Sequence, residues 1–505
     1  MTRGSVACAI ATGVLLCVSF PSFQWAAAAW FALVPLFIAL RKRSLTEAFT
    51  LGLIAGMAAH IGILYWIVFV VVHYGYVPVY IGIAVMLLLA LYMSLYTAVF
   101  AWAVVWFQKR GVSLLISAPF LWTSLEYIRS VFLTGFPWEN LGYSQYPFLP
   151  LMQIADITGI VGVSFIVVLG NCVIYDIVTK KQLQRIVGEG LLVLMIIGAV
   201  SGYGLYRIND MDNACRRNPS ITVSLIQGNI DQSVKWEEAY QKATLERYRV
   251  LSQEAAKDGP DLIVWPETAL PFFFQCIDEN HRRVREVARS AGAYFLFGSP
   301  SLEIRNDRRV GLNSAYLLSP DARIIGRYDK VHLVPFGEYV PLSSILFFID
   351  KLVSAVGDFA AGPGHEPLLM DGAKLGVLIC YEAIFPSISR AYRRKGATIL
   401  ANMTNDAWFG RSSAPKQHVI MTACRAIENR VSIVRAANTG ISAIIEPTGR
   451  IAARTPLFEE AALTGTVALV ERRPFYTRYG DIFSFLSIAV LVIIGLYAQR
   501  KGRKS

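Results

Sequence analysis

The chain of 505 residues is 54% hydrophobic and only 17% charged, whereas ordinary globular domains carry about 25% charged residues, and this difference excludes a wholly soluble protein. The formal net charge is +12, and most of the basic excess lies outside residues 219–481, among apolar stretches. A basic excess in that position indicates membrane topology and argues against nucleic acid as a partner.

Seven apolar stretches precede residue 210 and one follows residue 481. Most of them reach the roughly 20 residues needed to cross about 30 Å of hydrocarbon. The predicted spans are 5–23, 25–40, 49–72, 77–107, 112–132, 160–179, 187–206 and 482–499. The sequence therefore predicts a polytopic α-helical membrane domain with seven spans over residues 1–210, and an eighth span with a basic tail over residues 482–505.

The charges flanking these spans predict their orientation. If the N-terminus is cytoplasmic, all the cytoplasmic segments are rich in Lys and Arg; they are 1–4, 41–48, 108–111, 180–186 and 500–505. The outer ends carry far fewer basic residues, so the positive-inside rule is satisfied. We therefore expect both termini in the cytoplasm of a bacterium, and residues 210–481 in the periplasm.

The segment 133–150, LTGFPWENLGYSQYPFLP, lies between two predicted spans and is rich in Gly, Pro and aromatic residues. Such a composition is typical of an aromatic belt at the membrane–water interface. A second interpretation is that the segment forms a wall of a lipid-facing cavity. The sequence leaves both interpretations open.

Residues 219–481 alternate between short β-branched runs and polar, periodic stretches. The predicted strands are 221–227, 262–265, 294–299, 315–319, 375–380, 398–402, 431–437 and 441–447, and the predicted helices are 235–257, 280–291, 384–396 and 414–429. Nearly continuous apolar strands that alternate with helices indicate an α/β layer fold with a buried sheet. The seven cysteines form no C-x-x-C pair and no zinc-binding spacing, so we expect no metal site.

Three residues of this domain carry reactive groups, and two of them end predicted strands. Cys380 ends the strand LGVLIC, and a thiol at a strand-to-helix turn lies near N–H groups that favour the thiolate. Glu267 lies between two prolines after the strand LIVW, where a carboxylate can act as a general base. Lys330, in YDKVHLVPFGEYVP, can hold negative charge on a tetrahedral oxygen. Taken singly, each has an ordinary explanation as a structural cysteine, a loop acid or a surface lysine.

Glu, Lys and Cys in this order, each at the end of a strand of one α/β domain, resemble the nitrilase superfamily. The resemblance rests on the sequence motifs around the three residues, which are WPET, YDKVHLVPFGEYVP and LICYE. With the eight apolar stretches, the chain resembles the apolipoprotein N-acyltransferase family over essentially its whole length. The resemblance implies an α-β-β-α sandwich over residues 219–481 and a catalytic triad of Glu267, Lys330 and Cys380.

The resemblance also implies roles for residues around this triad. Trp236 matches a family tryptophan near the start of the domain, and Glu338 matches a glutamate beside the lysine. Tyr381 and Glu382 match the two residues after the nucleophile. The motif NDAWFG matches a family motif at the far wall of the site. The implied supporting residues are Trp236, Glu338, Tyr381, Glu382, Asn405 and Trp408.

The reaction that the resemblance implies is a ping-pong acyl transfer without cofactor or metal. Cys380 attacks the ester of a phospholipid, for which we expect phosphatidylethanolamine, and a thioester forms. The α-amine of an N-terminal S-diacylglyceryl-cysteine on an apolipoprotein then takes the acyl chain, at the bacterial inner membrane.

Two other functions are compatible with parts of the sequence. A membrane-anchored nitrilase-type amidase that hydrolyses a C–N bond shares the triad, but it leaves eight spans unexplained. A transporter with an accessory outer domain is disfavoured because no span carries a charged residue deep in its apolar run.

A long irregular stretch, 339–372, has an apolar first half, SSILFFIDKLVSAVG, before Gly362-Pro363-Gly364. Phe347 and Phe348 belong either to the domain core or to a lid that dips into the lipid headgroup region. Long loops in compact domains are usually functional or mobile, so the lid is the more informative hypothesis.

Overall fold

The computed structural model describes residues 1–179, 183–233, 235–339 and 359–502. Two compact units make up the chain. The first contains Met1–Val68, Pro78–Asn209 and Tyr479–Ser505, and the second contains Phe69–Val77 and Asp210–Arg478. Within the apolar loop proposed over 339–372, residues 340–358, and with them Phe347 and Phe348, lie outside the described residues.

The α-helices of the described residues are numbered in chain order. They are α1 Arg3–Val18, α2 Val34–Ala39, α3 Leu45–Leu64, α4 Trp66–Gly75, α5 Val79–Gln108, α6 Leu114–Val131, α7 Leu149–Met152, α8 Ala155–Thr158, α9 Ile160–Val178, α10 Leu183–Arg217, α11 Glu238–Ala256, α12 Glu279–Ala291, α13 Pro386–Arg394, α14 Ala414–Asn429, α15 Phe475–Tyr479 and α16 Ile482–Gly502.

Five helical segments of the described residues are long and apolar enough to cross a membrane. They are Leu45–Leu64, Val79–Gln108, Ile160–Val178, Val187–Arg217 and Ile482–Arg500. Shorter apolar helical segments cover Arg3–Val18, Ala26–Ala39 and Trp66–Gly75. Of the predicted spans, 25–40 consists of two short helical pieces and 49–72 is divided at Tyr65 between α3 and α4. The number of spans therefore stays a prediction.

Small residues bring α3 and α5 close together in the first unit. Gly52 and Gly56 lie one turn apart on α3. A Cβ at Gly52 would lie 2.6 Å from the Cβ of Ala101, and a Cβ at Gly56 would lie 2.7 Å from the Cβ of Ser94. No side chain fits at such separations, so glycine is required at both positions. Close approach at small residues replaces the hydrophobic driving force that is missing between helices in lipid.

The strands all lie in the second unit. They are β1 Ser220–Gln227, β2 Leu262–Val264, β3 Tyr294–Arg305, β4 Arg308–Leu318, β5 Ile324–Asp329, β6 Leu368–Met370, β7 Ala373–Ile379, β8 Ile399–Thr404, β9 Ser432–Ala437, β10 Ala443–Ile445, β11 Ile451–Arg454 and β12 Ala461–Ala468.

These strands form two six-stranded sheets, with the orders β12-β1-β2-β3-β4-β5 and β11-β10-β9-β8-β7-β6. β1, β2 and β3 are parallel in the first sheet, and β7, β8 and β9 are parallel in the second. The sheets contact each other through β1 and β9, while α11 packs on β1 and both α13 and α14 pack on the second sheet. The layers are therefore helix, sheet, sheet and helix.

Eight predicted strands coincide with β1 to β4 and β7 to β10, but four strands escaped prediction. The first part of β5 is largely exposed, β11 alternates between half-buried and exposed positions, and β12 is mostly half-buried. Such edge positions do not produce an apolar run in the sequence. β6 has only three residues, which is too short for a pattern.

Candidate active site

The sheet directions bring the predicted triad residues to corresponding strand ends. β4 is antiparallel to β3 and β5 is antiparallel to β4, so β5 runs in the same direction as the parallel strands β2 and β3. Lys330 follows the last residue of β5 directly, and Glu267 follows the end of β2 by three residues. Cys380 directly follows β7 in the facing sheet.

Glu267 is a buried carboxylate with both oxygens occupied. The side-chain amide of Asn313 donates to Oε1 at 2.9 Å, and the backbone N–H of Asn405 donates to Oε2 at 3.0 Å. The ammonium of Lys330 lies 3.7 Å from Oε1. These contacts fix the orientation of the carboxylate and leave it a hydrogen-bond acceptor suited to receive a proton.

Lys330 is buried between two carboxylates. Its Nζ lies 2.8 Å from Oε2 of Glu338 and 3.7 Å from Oε1 of Glu267. Burial acts to lower the pKa of Lys330, but the charges of Glu338, Glu267 and Cys380 outweigh it and raise that pKa. Lys330 is therefore a fixed positive charge in the site, and Glu338 is the partner that holds it.

Asn313, in the middle of β4, joins the two carboxylates and was not predicted from the sequence. Its Nδ2 donates to Oε1 of Glu267 at 2.9 Å and to Oε1 of Glu338 at 3.0 Å. Its backbone oxygen accepts the N–H of Lys330 at 2.9 Å. An asparagine inside an ordinary strand carries no signal of its own, so only the strand register reveals this position.

Cys380 adopts a left-handed backbone conformation with φ of +53° at the start of a short 3₁₀ turn, Cys380–Ile384. Burial raises the pKa of its thiol and the charge of Glu267 raises it further, while Lys330 and a hydrogen bond with Thr404 act in the opposite direction. The expectation that the turn favours the thiolate is therefore wrong, because burial and the charge of Glu267 outweigh the charge of Lys330 and the hydrogen bond with Thr404. The resting thiol is protonated and needs a base.

Glu382 is fully buried and binds the backbone on both sides of the site. One oxygen accepts from the Tyr328 hydroxyl at 2.7 Å and from the N–H groups of Val331 and His332 at 2.9 and 3.1 Å. The other accepts the N–H of Ile379 at 2.8 Å. Burial raises the pKa of this carboxyl, although these hydrogen bonds oppose the change. Glu382 therefore ties the segment after Lys330 to the segment before Cys380.

The remaining predicted residues lie around this centre. The ring of Tyr381 packs edge-on against Phe385, with centroids 4.9 Å apart. The side-chain amide of Asn405 donates to Oε1 of Gln232 at 2.6 Å. The rings of Trp408 and Tyr74 are 4.5 Å apart. Asn405 adjoins the triad through its backbone N–H on Glu267, and Tyr381 directly follows Cys380, whereas the contact of Trp408 is with Tyr74.

Trp236 and its neighbour Lys235 follow β1, close to the same edge. The indole N–H of Trp236 is buried and has no hydrogen-bond partner among the described residues. Lys235 is 1% exposed, and the sequence analysis did not single it out. Its burial lowers the pKa of the ammonium to about 8, although the charge of Glu267 opposes the change. A second buried cation therefore acts on the carboxylate of Glu267.

Replacing Lys235 with methionine is expected to stabilise the fold at pH 7. A lysine whose pKa falls from 10.5 to about 8 on folding disfavours the folded state below pH 8, and the penalty disappears as the pH rises from 8 towards 10.5. Its removal should raise the free energy of unfolding by ~1–3 kcal/mol at pH 7. The measurement is the melting temperature of wild type and variant between pH 7 and 10. Lys242→Met, on the exposed surface, is the control. A variant that is less stable than wild type at pH 7 would contradict this account.

No group of three or more His, Cys, Asp or Glu side chains suitable for a metal ion occurs among residues 1–179, 183–233, 235–339 and 359–502. The charges that surround Cys380 come from protein side chains. The arrangement can take a proton from a thiol and hold an anionic oxygen beside an ammonium, which is the chemistry of a thioester-forming enzyme.

Comparison with known proteins defines the class. A family model described as Carbon-nitrogen hydrolase matches residues 222–476, and one described as Apolipoprotein N-acyltransferase N-terminal domain matches residues 12–173. The solved structure of a carbon-nitrogen hydrolase from Helicobacter pylori G27 aligns with a TM-score of 0.39 and 18% identity, over 54% of this chain and 92% of that chain. By the first family model, the chain contains a carbon–nitrogen hydrolase domain, and it has apolar helices besides.

Relatives along the whole length define the family. An apolipoprotein N-acyltransferase from Geobacter metallireducens is 46% identical, over 98% of this chain and 95% of the relative. Another from Pasteurella multocida is 32% identical, over 98% of this chain and 96% of the relative. The chain belongs to the apolipoprotein N-acyltransferase family. The resemblance that the sequence motifs indicated is confirmed.

Proposed function

We propose that this chain transfers an acyl chain from a membrane phospholipid to the α-amine of the N-terminal S-diacylglyceryl-cysteine of apolipoproteins, through a thioester on Cys380. The observation that carries the proposal is the buried contact of Lys330 with Glu267 and Glu338, in a chain whose full-length relatives are named apolipoprotein N-acyltransferases. The amidase alternative has less support, because those relatives match the membrane part as well as the hydrolase domain.

The first half-reaction forms the acyl-enzyme. Glu267 takes the proton of the Cys380 thiol, and the sulfur forms a bond to the ester carbonyl carbon of the phospholipid. Lys330 stabilises the negative oxygen of the tetrahedral intermediate. The ester C–O bond then breaks, and the proton on Glu267 passes to the lysophospholipid that leaves.

The second half-reaction transfers the acyl chain to the acceptor. The α-amine nitrogen forms a bond to the thioester carbonyl, the C–S bond breaks, and Glu267 accepts the amine proton before the thiol is restored. An α-amine has a reference pKa of about 8, so a useful neutral fraction is present near pH 7. Glu338 contributes by keeping Lys330 charged through both steps.

The supporting residues have distinct proposed roles. Asn405 orients Glu267 through its backbone N–H, and Glu382 holds the segments that carry Lys330 and Cys380. Trp236, Tyr381 and Trp408 provide apolar walls for the acyl chain. Phosphatidylethanolamine is the proposed donor of the acyl chain.

The proposal predicts that the protein becomes acylated by phospholipid alone. Intact-mass analysis of the purified full chain, after incubation with phosphatidylethanolamine of one defined acyl composition, should show the addition of one acyl group. Hydroxylamine should remove it, because thioesters are cleaved by this reagent. Incubation with glycerophosphoethanolamine, which has the same headgroup and no acyl chain, is the control. An unchanged mass under these conditions would contradict a ping-pong mechanism.

The proposed topology places the second unit in the periplasm and both termini in the cytoplasm. Cys276 is exposed, whereas Cys215 is only partly exposed, so Cys276 is the better reporter. In a variant that keeps Cys276 as its single cysteine, an impermeant thiol reagent should label intact spheroplasts. A variant carrying only Ser505→Cys should be labelled after lysis alone. The reverse pattern would overturn the orientation that the charges predict.

A further inference from the structure

His418, on α14, contacts the backbone of the proposed nucleophile from a buried position. Its Nε2 lies 3.2 Å from the carbonyl oxygen of Cys380, and its side chain is 1% exposed. A carbonyl oxygen can only accept a hydrogen bond, so Nε2 must carry the hydrogen. The sequence analysis gave no role to this histidine, which is 38 residues from Cys380 along the chain.

Charged groups of both signs surround the other ring nitrogen. Nδ1 lies 3.2 Å from a guanidinium nitrogen of Arg435 and 3.3 Å from Oδ1 of Asp406. The same guanidinium nitrogen pairs with Oδ2 of Asp406 at 2.6 Å, and all three side chains are buried. Burial, and then the charge of Arg435, lower the pKa of His418, and they outweigh Asp406 and the Cys380 carbonyl, which act to raise it. The ring is therefore neutral, accepts from Arg435 at Nδ1 and donates to Cys380 at Nε2.

Arg435 also holds the second donor to the Cys380 carbonyl. The side-chain amide of Asn402 donates to that oxygen at 3.5 Å, and the oxygen of the same amide accepts from Arg435. Two donors organised by one buried arginine thus converge on one carbonyl group. That carbonyl belongs to a residue with φ of +53°, a conformation that costs energy for a residue other than glycine.

We propose that His418 is a positioning residue for Cys380: its Nε2–H anchors the carbonyl of the nucleophile and thereby keeps the thiol directed at Glu267 and Lys330. The inference rests on the proposed function, because it assigns to Cys380 the role of nucleophile. His418 touches neither the acyl chain nor the reacting sulfur in this account. Its effect is on the rate of acylation and not on the affinity for phospholipid.

Substitutions of matched shape test this role in the full-length protein. The amide nitrogen of His418→Gln can occupy the place of Nε2, whereas the shorter amide of His418→Asn can reach only the place of Nδ1. His418→Met has the length of glutamine but no donor. We expect the maximal rate of acyl-enzyme formation from phosphatidylethanolamine to fall about 30–100-fold in His418→Asn and His418→Met, as for a misplaced catalytic group, and to fall less than about 5-fold in His418→Gln.

The concentration of phospholipid at half-maximal rate should stay within about twofold in all three variants, since no lipid-binding wall changes. Rates are compared per folded molecule, with the melting temperature measured for each variant. If His418→Asn does not fold, His418→Met against His418→Gln gives the same contrast. Equal rates in Gln, Asn and Met variants, whether fast or slow, would overturn the role of the Nε2 donor. A wild-type protein that forms no acyl-enzyme would refute the proposed function instead.

Discussion

Cys380→Ser is expected to lower the rate of acyl-enzyme formation by about 10³-fold or more while leaving the melting temperature nearly unchanged. Burial and the charge of Glu267 already raise the pKa of the thiol, and a serine hydroxyl is much less acidic than any thiol. Glu267 therefore cannot generate a useful alkoxide at this position. The measurement is intact-mass analysis of the variant after incubation with phospholipid.

Cys276→Ser is the matched control, because Cys276 is exposed and lies outside the proposed site. It should acylate at the rate of wild type. Acylation that persists in Cys380→Ser would move the nucleophile elsewhere, and Cys276 and Cys424 would be the next candidates. Cys424 is fully buried, so an acyl group on Cys276 would be the more plausible of these two outcomes.

Glu267→Gln is expected to slow acylation about 10²–10⁴-fold, the range for loss of a general base. In the wild-type protein the backbone N–H of Asn405 donates to Glu267 at 3.0 Å. Glutamine has nearly the same shape as glutamate, and its side-chain oxygen can still accept this hydrogen bond. It cannot take the thiol proton. The rate of acylation in this variant should rise with pH as solvent hydroxide deprotonates Cys380, whereas the wild-type rate should reach a plateau.

Glu246→Gln, at an exposed position on α11, is the control for charge and should acylate at the wild-type rate. The pH profile distinguishes a base from a structural group, since a merely misfolded fraction lowers the rate equally at every pH. A Glu267→Gln variant that acylates within about fivefold of wild type, with an unchanged profile, would mean that another group takes the proton.

Short motifs carry the prediction of the triad from the sequence. Glu267 and Cys380 each stand at the end of a strand whose apolar run is visible, and the sequence around Lys330 forms a specific motif. The predicted bounds of a helix agree with the structure where residues next to the helix ends cap it, as in the predicted helix 280–291. Asp278, for example, accepts the N–H of His281 at 2.8 Å at the start of α12, and Gly292 ends this helix with φ of +64°.

The parts that escaped prediction depend on contacts between distant residues. The hydrogen bond between Asn313 and Glu267 joins residues 46 positions apart in the sequence. His418 contacts Cys380 only because α14 packs beside the turn after β7. Lys235 looks like a surface lysine in the sequence until the fold buries it. The thiol pKa was predicted in the wrong direction, because a local argument about the turn omitted the burial that the whole domain imposes.

The central claim is that the Cys380 thioester passes its acyl chain to an amine in preference to water. The direct test is a chase of the isolated acyl-enzyme with a synthetic peptide bearing an N-terminal S-diacylglyceryl-cysteine, followed by mass spectrometry of enzyme and peptide. We predict that the enzyme loses one acyl group as the peptide gains one in amide linkage, much faster than the thioester decays in buffer. Loss of the acyl group as free fatty acid, at the same rate with and without the peptide, would contradict the account and identify a hydrolase.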